Sequence, residues 1–277
     1  MLRIRHETLY RYAEPVRQSV QSLRLTPRRE QRQRTLSWQV SAPGRRSEQV
    51  DAHGNISHLL TVDEPHQEIR IVVGGVIDVP DDGPLIFERG LISPLAYLAT
   101  TPLTGTDPDL TALALRCLGG PSVVRGQLDQ LAAEVCARVR YRPGTTTVTD
   151  TALSALRRGE GVCQDQAHVF LAACRSVHVP ARYVSGYLLS GNGESGVDGS
   201  GADIASHAWV DVWLEAQRAW LGLDVTHQAI VGAQHCRLAV GRDYLDAAPV
   251  RGVRRGGGRE TLEVQVLVAN ETGQSSQ

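Results

Sequence analysis

The chain has 277 residues, 42% of them hydrophobic, and its 29 basic and 30 acidic residues leave a formal net charge of −1, which is enough for a sizeable core in one or two domains. The N-terminus has no apolar signal stretch and no segment is long and apolar enough to span a bilayer, so a cytoplasmic protein with no membrane partner is expected. Five cysteines, Cys117, Cys136, Cys163, Cys174 and Cys236, form an odd set without C-x-x-C spacing, which argues against a disulfide framework and a zinc site; no metal and no cofactor are expected.

From Met1 to about Pro80 the chain carries short strand-like runs at 8–12, 22–25, 35–40, 56–60 and 69–73, separated by turn residues, of which 51–55 are the clearest. These predict an all-β N-terminal domain over 1–85. Arg24, Arg28, Arg29, Arg32 and Arg34 crowd this region. Every basic residue of the chain is an arginine, and no nucleic-acid motif accompanies the run. It therefore reads as a solvated face, and no nucleic-acid partner is expected. Residues 80–108 are rich in Asp, Gly, Pro and Thr, which places a domain boundary there. A helix follows over 123–140, with Val124, Leu128, Leu131, Val135 and Val139 along one stripe. A shorter one over 151–158 starts at Asp150 and ends at Gly159.

Gly161-Val162-Cys163 comes next, just ahead of a run in which Ala167, Phe170, Leu171, Cys174 and Val177 fall at helical spacing while Gln166, Arg175 and Ser176 face elsewhere. Cys163 thus stands at a helix start, where unpaired N–H groups and the helix dipole favour the thiolate, the reactive form. A nucleophilic Cys needs a His brought to it by the fold. Pro180 stops the helix and 182–189 reads as a strand, whereas 190–206 is almost all Gly, Ser, Asp and Asn. That loop reads equally as a lid and as a bare surface insertion. Residues 206–214 and 219–224 have strand composition and fold back about 215–218, which brings Asp224 within reach of His207. Cys163, His207 and Asp224 then supply a nucleophile, a base and a group that orients the base. The tail is Arg- and Gly-rich over 251–258; at 260–269 Leu262, Val264, Val266 and Val268 alternate as one face of a half-buried strand, and 270–277 reads as frayed.

Several stretches together resemble the bacterial transglutaminase-like family, candidate cysteine proteases with a transglutaminase core behind a characteristic N-terminal domain. They are Gly161-Val162-Cys163-Gln164-Asp165 with His168, Val179-Pro180-Ala181-Arg182-Tyr183-Val184-Ser185-Gly186-Tyr187, Ser206-His207-Ala208-Trp209-Val210 and Leu223-Asp224-Val225-Thr226. The likeness continues in Val240-Gly241-Arg242-Asp243-Tyr244 and Pro249-Val250-Arg251-Gly252-Val253. The resemblance implies an α+β fold: a papain-like, transglutaminase-like core over 86–277, with the Cys-bearing helix packed on an antiparallel sheet and a C-terminal strand. It also implies that Cys163, His207 and Asp224 are the catalytic triad. The chain departs from the family where Asp224-Val225-Thr226-His227 replaces Asp-Pro-Thr-Asn, and where His178 replaces the Gly before the Val-Pro turn. The first change loosens the Asp-bearing turn and the second strains the helix end.

The expected function is amide-bond hydrolysis of a protein or peptide substrate through a Cys163 thioester. The Cys163 N–H serves as one oxyanion donor, with Tyr141 and Gln164 as candidates for the second. Two alternatives stay open: acyl transfer to an amine, and a non-catalytic binding module that retains the fold.

Overall fold

A computed structural model describes residues 1–81, 83–88, 92–120, 122–189 and 206–271. Strands β1 (Leu2–Leu23), β2 (Arg34–Ser41), β3 (Arg45–Val50), β4 (Ile56–Val62) and β5 (His66–Asp78) come first, followed by the short β6 (Leu85–Ile86). The middle of the chain holds α1 (Pro108–Cys117), α2 (Arg125–Arg138), β7 (Arg140–Tyr141), α3 (Ala152–Arg158), β8 (Glu160–Gly161) and α4 (Cys163–Ser176). Then come β9 (Ala181–Leu188), β10 (Ser206–Leu214), β11 (Ala219–Asp224), β12 (Ala229–Ile230), β13 (His235–Gly241), α5 (Tyr244–Ala247), β14 (Val250–Gly256) and β15 (Glu260–Asn270). No described helix is long and apolar enough to cross a membrane.

In the N-terminal sheet β4 and β5 follow one another along one edge of the long β1 and β14 and β15 along the other, with β3 beyond β4 and β2 beyond β5. The runs expected at 8–12 and 22–25 are parts of one 22-residue strand. Pro15 lies inside it, where the register against β5 jumps between Arg11 and Val16, so its missing N–H interrupts no regular ladder. Strand β3 was not foreseen, because all six of its residues are exposed and carry no apolar alternation. The tail also behaves differently from expectation: β15 pairs with β1 from Leu2↔Asn270 to Tyr12↔Glu260, and the Arg-rich 250–256 is itself a strand on Val16–Leu23. Of the apolar face expected on β15, Val268 is buried and Val266 half-buried, but Leu262 and Val264 are exposed. Residues 272–277 lie outside the described residues.

The second sheet runs β12-β11-β10-β9-β13, with β6 added to β11. Its α4-facing side chains, among them Ala208, Val210, Val212, Leu221 and Leu223, join Phe170 and Leu171 of α4 and Leu110, Leu128 and Leu131 of α1 and α2 in one core. Helix α1, which begins where the turn-rich 80–108 stretch ends, was not foreseen, although Asp107 caps it by accepting from the Asp109 N–H at 2.9 Å and Pro108 opens it. Helix α4 is buried all round rather than along one stripe, since the sheet covers one side and α1, α2 and α3 the others. Gln166 and Arg175, expected to face outward, are buried with their donors satisfied. Gln166 donates to the Val139 carbonyl at 2.8 Å; Arg175 donates to the Tyr97 and Ala181 carbonyls at 2.8 Å and to Arg242 O and Thr104 Oγ1 at 2.6 Å.

The two sheets share a second core in which Tyr187, Leu189, Cys236 and Leu238 pack with Leu2, Ile4, Leu60 and Ile71. Beside it lies a closed ring of alternating charge. Arg182 meets Asp211 at 2.9 Å and Glu88 at 2.6 Å, Arg237 meets Glu30 at 3.1 Å, Arg28 meets Glu30 at 3.5 Å, and the Arg237–Asp211 and Arg28–Glu88 pairs complete the circuit. Arg28, within this ring, and Arg32 are both buried, not part of a solvated face as their Arg-dense run suggested; Arg29, at 78% exposure, does face solvent. The guanidinium of Arg182 also lies over the Trp220 ring, 4.3 Å from its centroid.

Candidate active site

Cys163 is the first residue of α4 and is half-buried. The entry to that helix is fixed by Asp165, whose Oδ2 accepts from the Val162 N–H and the Thr146 hydroxyl, both at 2.8 Å. Burial raises the Asp165 pKa, while these two hydrogen bonds work the other way. Gly161 is required for the same turn, since a Cβ there would sit 2.7 Å from Asp165 Cβ.

The hairpin of β10 and β11 places the other two groups. Val210 pairs with Leu223, so one further step along the register sets Asp224 opposite Trp209, two residues from His207 on the same face. His207 Nε2 donates to Asp224 Oδ2 at 2.8 Å, and Cys163 lies close enough to the same ring to help raise its pKa. With Nε2 taken by the carboxylate, Nδ1 is the nitrogen left for the thiol. Burial disfavours a charged His207, but the hydrogen bonds and charges of Asp224 and Cys163 outweigh it and lift its pKa to about 10. Burial likewise opposes ionisation of Asp224, yet bonds from His207, His227 and His235 hold it far below the usual carboxylate range.

The structure therefore brings together the three residues singled out in the sequence. It also brings two histidines that the sequence reading did not place in the triad. His227 Nδ1 and His235 Nε2 lie 2.9 and 3.2 Å from the same Asp224 Oδ2, and the His227 backbone N–H donates to Oδ1 at 3.1 Å. Strand β13, which carries His235, is three places from β11 in the sheet order, so the sheet must curl to make that contact. Gln166 ties the nucleophile's helix to the Asp-bearing turn, its Oε1 accepting from the Thr226 hydroxyl at 2.7 Å. Cys136 on α2 donates to the Val225 carbonyl at 3.0 Å, so that turn is also held where the family's usual proline is missing. His168 is buried, its pKa pushed down to about 3 by burial and by nearby Arg175; as a neutral ring it accepts the Tyr244 N–H at 3.1 Å.

Tyr141 pairs with Gly161 in the β7–β8 ladder and is 49% exposed, and Gln164 is the half-buried second residue of α4; both thus flank Cys163. The 190–206 loop lies outside the described residues except for Ser206, which opens β10.

Two family models match the chain: the bacterial transglutaminase-like N-terminal region over residues 2–78 and the transglutaminase-like superfamily core over 111–225. An uncharacterised protein of Mycobacterium tuberculosis is 33% identical over 273 residues, covering 91% of this chain and 86% of its own. The chain belongs to the bacterial transglutaminase-like family. Its Mycobacterium leprae relative, also uncharacterised, is 31% identical over 282 residues and covers 96% of this chain and 98% of its own. The fold is shared with the crystal structure of a candidate cysteine protease from Cytophaga hutchinsonii, with a TM-score of 0.76, 20% identity and coverage of 99% and 92% of the two chains. The transglutaminase-like core, the mixed α/β arrangement and the β-rich N-terminal region expected from the sequence are therefore those of the family.

Proposed function

We propose that the protein cleaves an amide bond in a protein or peptide through a Cys163 thioester. The observation that carries this reading is the His207 ring, hydrogen-bonded to the buried Asp224 carboxylate and close enough to Cys163 for the thiol to raise its pKa. With its pKa near 10, His207 stands protonated beside Cys163, which attacks the carbonyl as the thiolate; the ring gives its proton to the leaving amine, then takes one from the water that hydrolyses the thioester and so returns to its starting form. Asp224 orients the ring and stabilises its cationic form. The Cys163 N–H at the start of α4 donates to the developing oxyanion, with Tyr141 and Gln164 as candidates for the second donor.

Hydrolysis is preferred over transfer because the rim of the site is wet: His227, bonded to Asp224, has 55% of its side chain exposed, and an amine acceptor wins over water only where water is excluded. The test is mass spectrometry of peptide libraries incubated with the tag-free protein, with and without a labelled primary amine. The sequence holds no lysine, so label in the product reports added amine rather than cross-linking through lysines of the enzyme. Acid product at a rate the amine barely changes is expected, and Cys163→Ala should abolish it. Label in most of the product would make the protein a transferase. No turnover, with Cys163 alkylated no faster than the other four cysteines, would favour a binding module.

A further inference from the structure

His227 stands where the family pattern has Asn, and nothing in the proposed reaction uses its ring. We infer that the imidazole rings of His207 and His227 together with the Asp224 carboxylate form a binding site for a divalent transition metal of the Zn²⁺ type, and that metal bound there blocks Cys163. The site was invisible to sequence spacing, because its ligands come from the start of β10, the end of β11 and the turn beyond it. The fold places one ligand atom from each within 4.8 Å of the other two.

The donor set suits the metal. Two imidazole nitrogens and one carboxylate oxygen make up a three-ligand zinc set with a fourth position open. His207 Nε2 and His227 Nδ1 lie 2.8 and 2.9 Å from Asp224 Oδ2, and within 4.8 Å of each other. Tetrahedral ligands around Zn²⁺ are separated by about 3.3 Å, so the two nitrogen–oxygen distances need to open by a few tenths of an ångström while the two nitrogens settle about the ion. His227 is free to supply that movement, being the most exposed member, and it also gives a metal its way in from solvent. The two rings face each other edge-on, with centroids 5.2 Å apart and planes at 61°, so both can aim a nitrogen at one point. The carboxylate is held independently of the two ring nitrogens, by His235 at 3.2 Å on Oδ2 and by the His227 N–H at 3.1 Å on Oδ1. Bonds of this kind orient a ligand and raise its affinity.

The block follows from which nitrogen is used. Coordinated through Nε2, His207 carries its one proton on Nδ1 and has no lone pair left for the Cys163 thiol. The proton that Nε2 loses moves to Nδ1 or, if Nδ1 is already protonated, to solvent. No bond to substrate and no redox change is involved. The binding half of this inference stands apart from the proposed function, and only the blocking half rests on Cys163 being the nucleophile.

The test uses tag-free, chelator-treated full-length protein and Zn²⁺ alone, titrated in competition with a chromophoric chelator. One Zn²⁺ per chain is expected, weakened at least about tenfold in His227→Asn, the substitution that restores the family's residue. Cys163→Ala should keep wild-type affinity, which separates this site from simple capture by a thiol. Co²⁺ should give the visible bands of a four-coordinate ion in the wild type, and those bands should fade in His227→Asn; circular dichroism should be the same in both proteins. Saturating Zn²⁺ should slow alkylation of Cys163 in the wild type but not in His227→Asn at the same concentration. Wild-type protein that takes up no Zn²⁺, or a His227→Asn variant that binds it equally well, overturns the site. Tight binding that leaves Cys163 alkylation unchanged overturns the block.

Discussion

Asp224 accepts from three histidines through one oxygen, and the consequences differ for each ring. For His207 the carboxylate and Cys163 raise the pKa from its ordinary 6.5 to about 10. A raised folded-state pKa stabilises the fold fully below the ordinary value, and that contribution is lost as pH rises through about 10. An NMR titration of the His207 ring should therefore show no step near 6.5 and a midpoint near 10. Cys163→Ala and Asp224→Asn should each pull that midpoint down, because each removes one of the two groups that oppose burial. Asp224→Asn should also cut turnover by about 10⁴-fold, the scale of loss when a triad carboxylate becomes an amide and the histidine adopts the wrong tautomer. A loss under about tenfold would mean that another group orients His207. Among the other thiols, Cys117, Cys136, Cys174 and Cys236 are all pushed up by burial. A thiol-directed probe below neutral pH should accordingly label Cys163 first. Cys163, His207 and Asp224 were legible because motif and hairpin pairing act over short distances. His235 was not, because its approach to Asp224 depends on the curl of a whole sheet, and Gln166 was hidden by the assumption that a polar residue on an amphipathic helix faces water.

Helix α4 ends at Ser176, and His178 just beyond its C-cap Val177 adopts φ +63°, the left-handed region where the family's glycine carries no Cβ penalty. His178→Gly should therefore stabilise the protein by about 0.5–1 kcal/mol, measured as a higher midpoint in urea with an unchanged slope. A lower midpoint would mean that the His178 side chain contributes more than its backbone strain costs. At the other end of the helix the expectation reverses. Gly161→Ala should disrupt the Asp165 clasp on Val162 and slow alkylation of Cys163, even if the protein still melts cooperatively, because its Cβ would collide with Asp165. At this scale the α4 termini and the β10–β11 hairpin were readable from turn residues and alternation, whereas β3 carried no alternation to read.

Across the whole molecule, the ring of Arg182, Asp211, Arg237, Glu30, Arg28 and Glu88 joins the loop after β1 to three strands of the second sheet. Asp211 and Glu88 both have lowered pKa values, since burial, which opposes their ionisation, is outweighed by the arginines beside them. Depressed carboxylate pKa values stabilise the fold above the ordinary carboxylate range, and that contribution is lost as pH falls through it. Asp211→Asn leaves Arg182 and Arg237 sharing one carboxylate fewer, and should cost about 3–5 kcal/mol in chemical denaturation. Such a ring was out of reach of sequence reasoning, because its members are separated by up to 209 positions and each looks like an ordinary surface charge.

Both flanks of β1 also bear on how the protein comes into being. One edge of this strand is paired with β4 and β5, which leave the ribosome soon after it, but the other is completed only by β14 and β15, which follow every other described element. Until β14 and β15 are made the first sheet therefore keeps an open edge of hydrogen-bonding groups along its longest strand, and closing it requires contacts between segments far apart in the sequence. Released chains truncated after residue 259 should remain protease-sensitive in the N-terminal region and be prone to association through β1, and protection should appear when residues 260–270 are present.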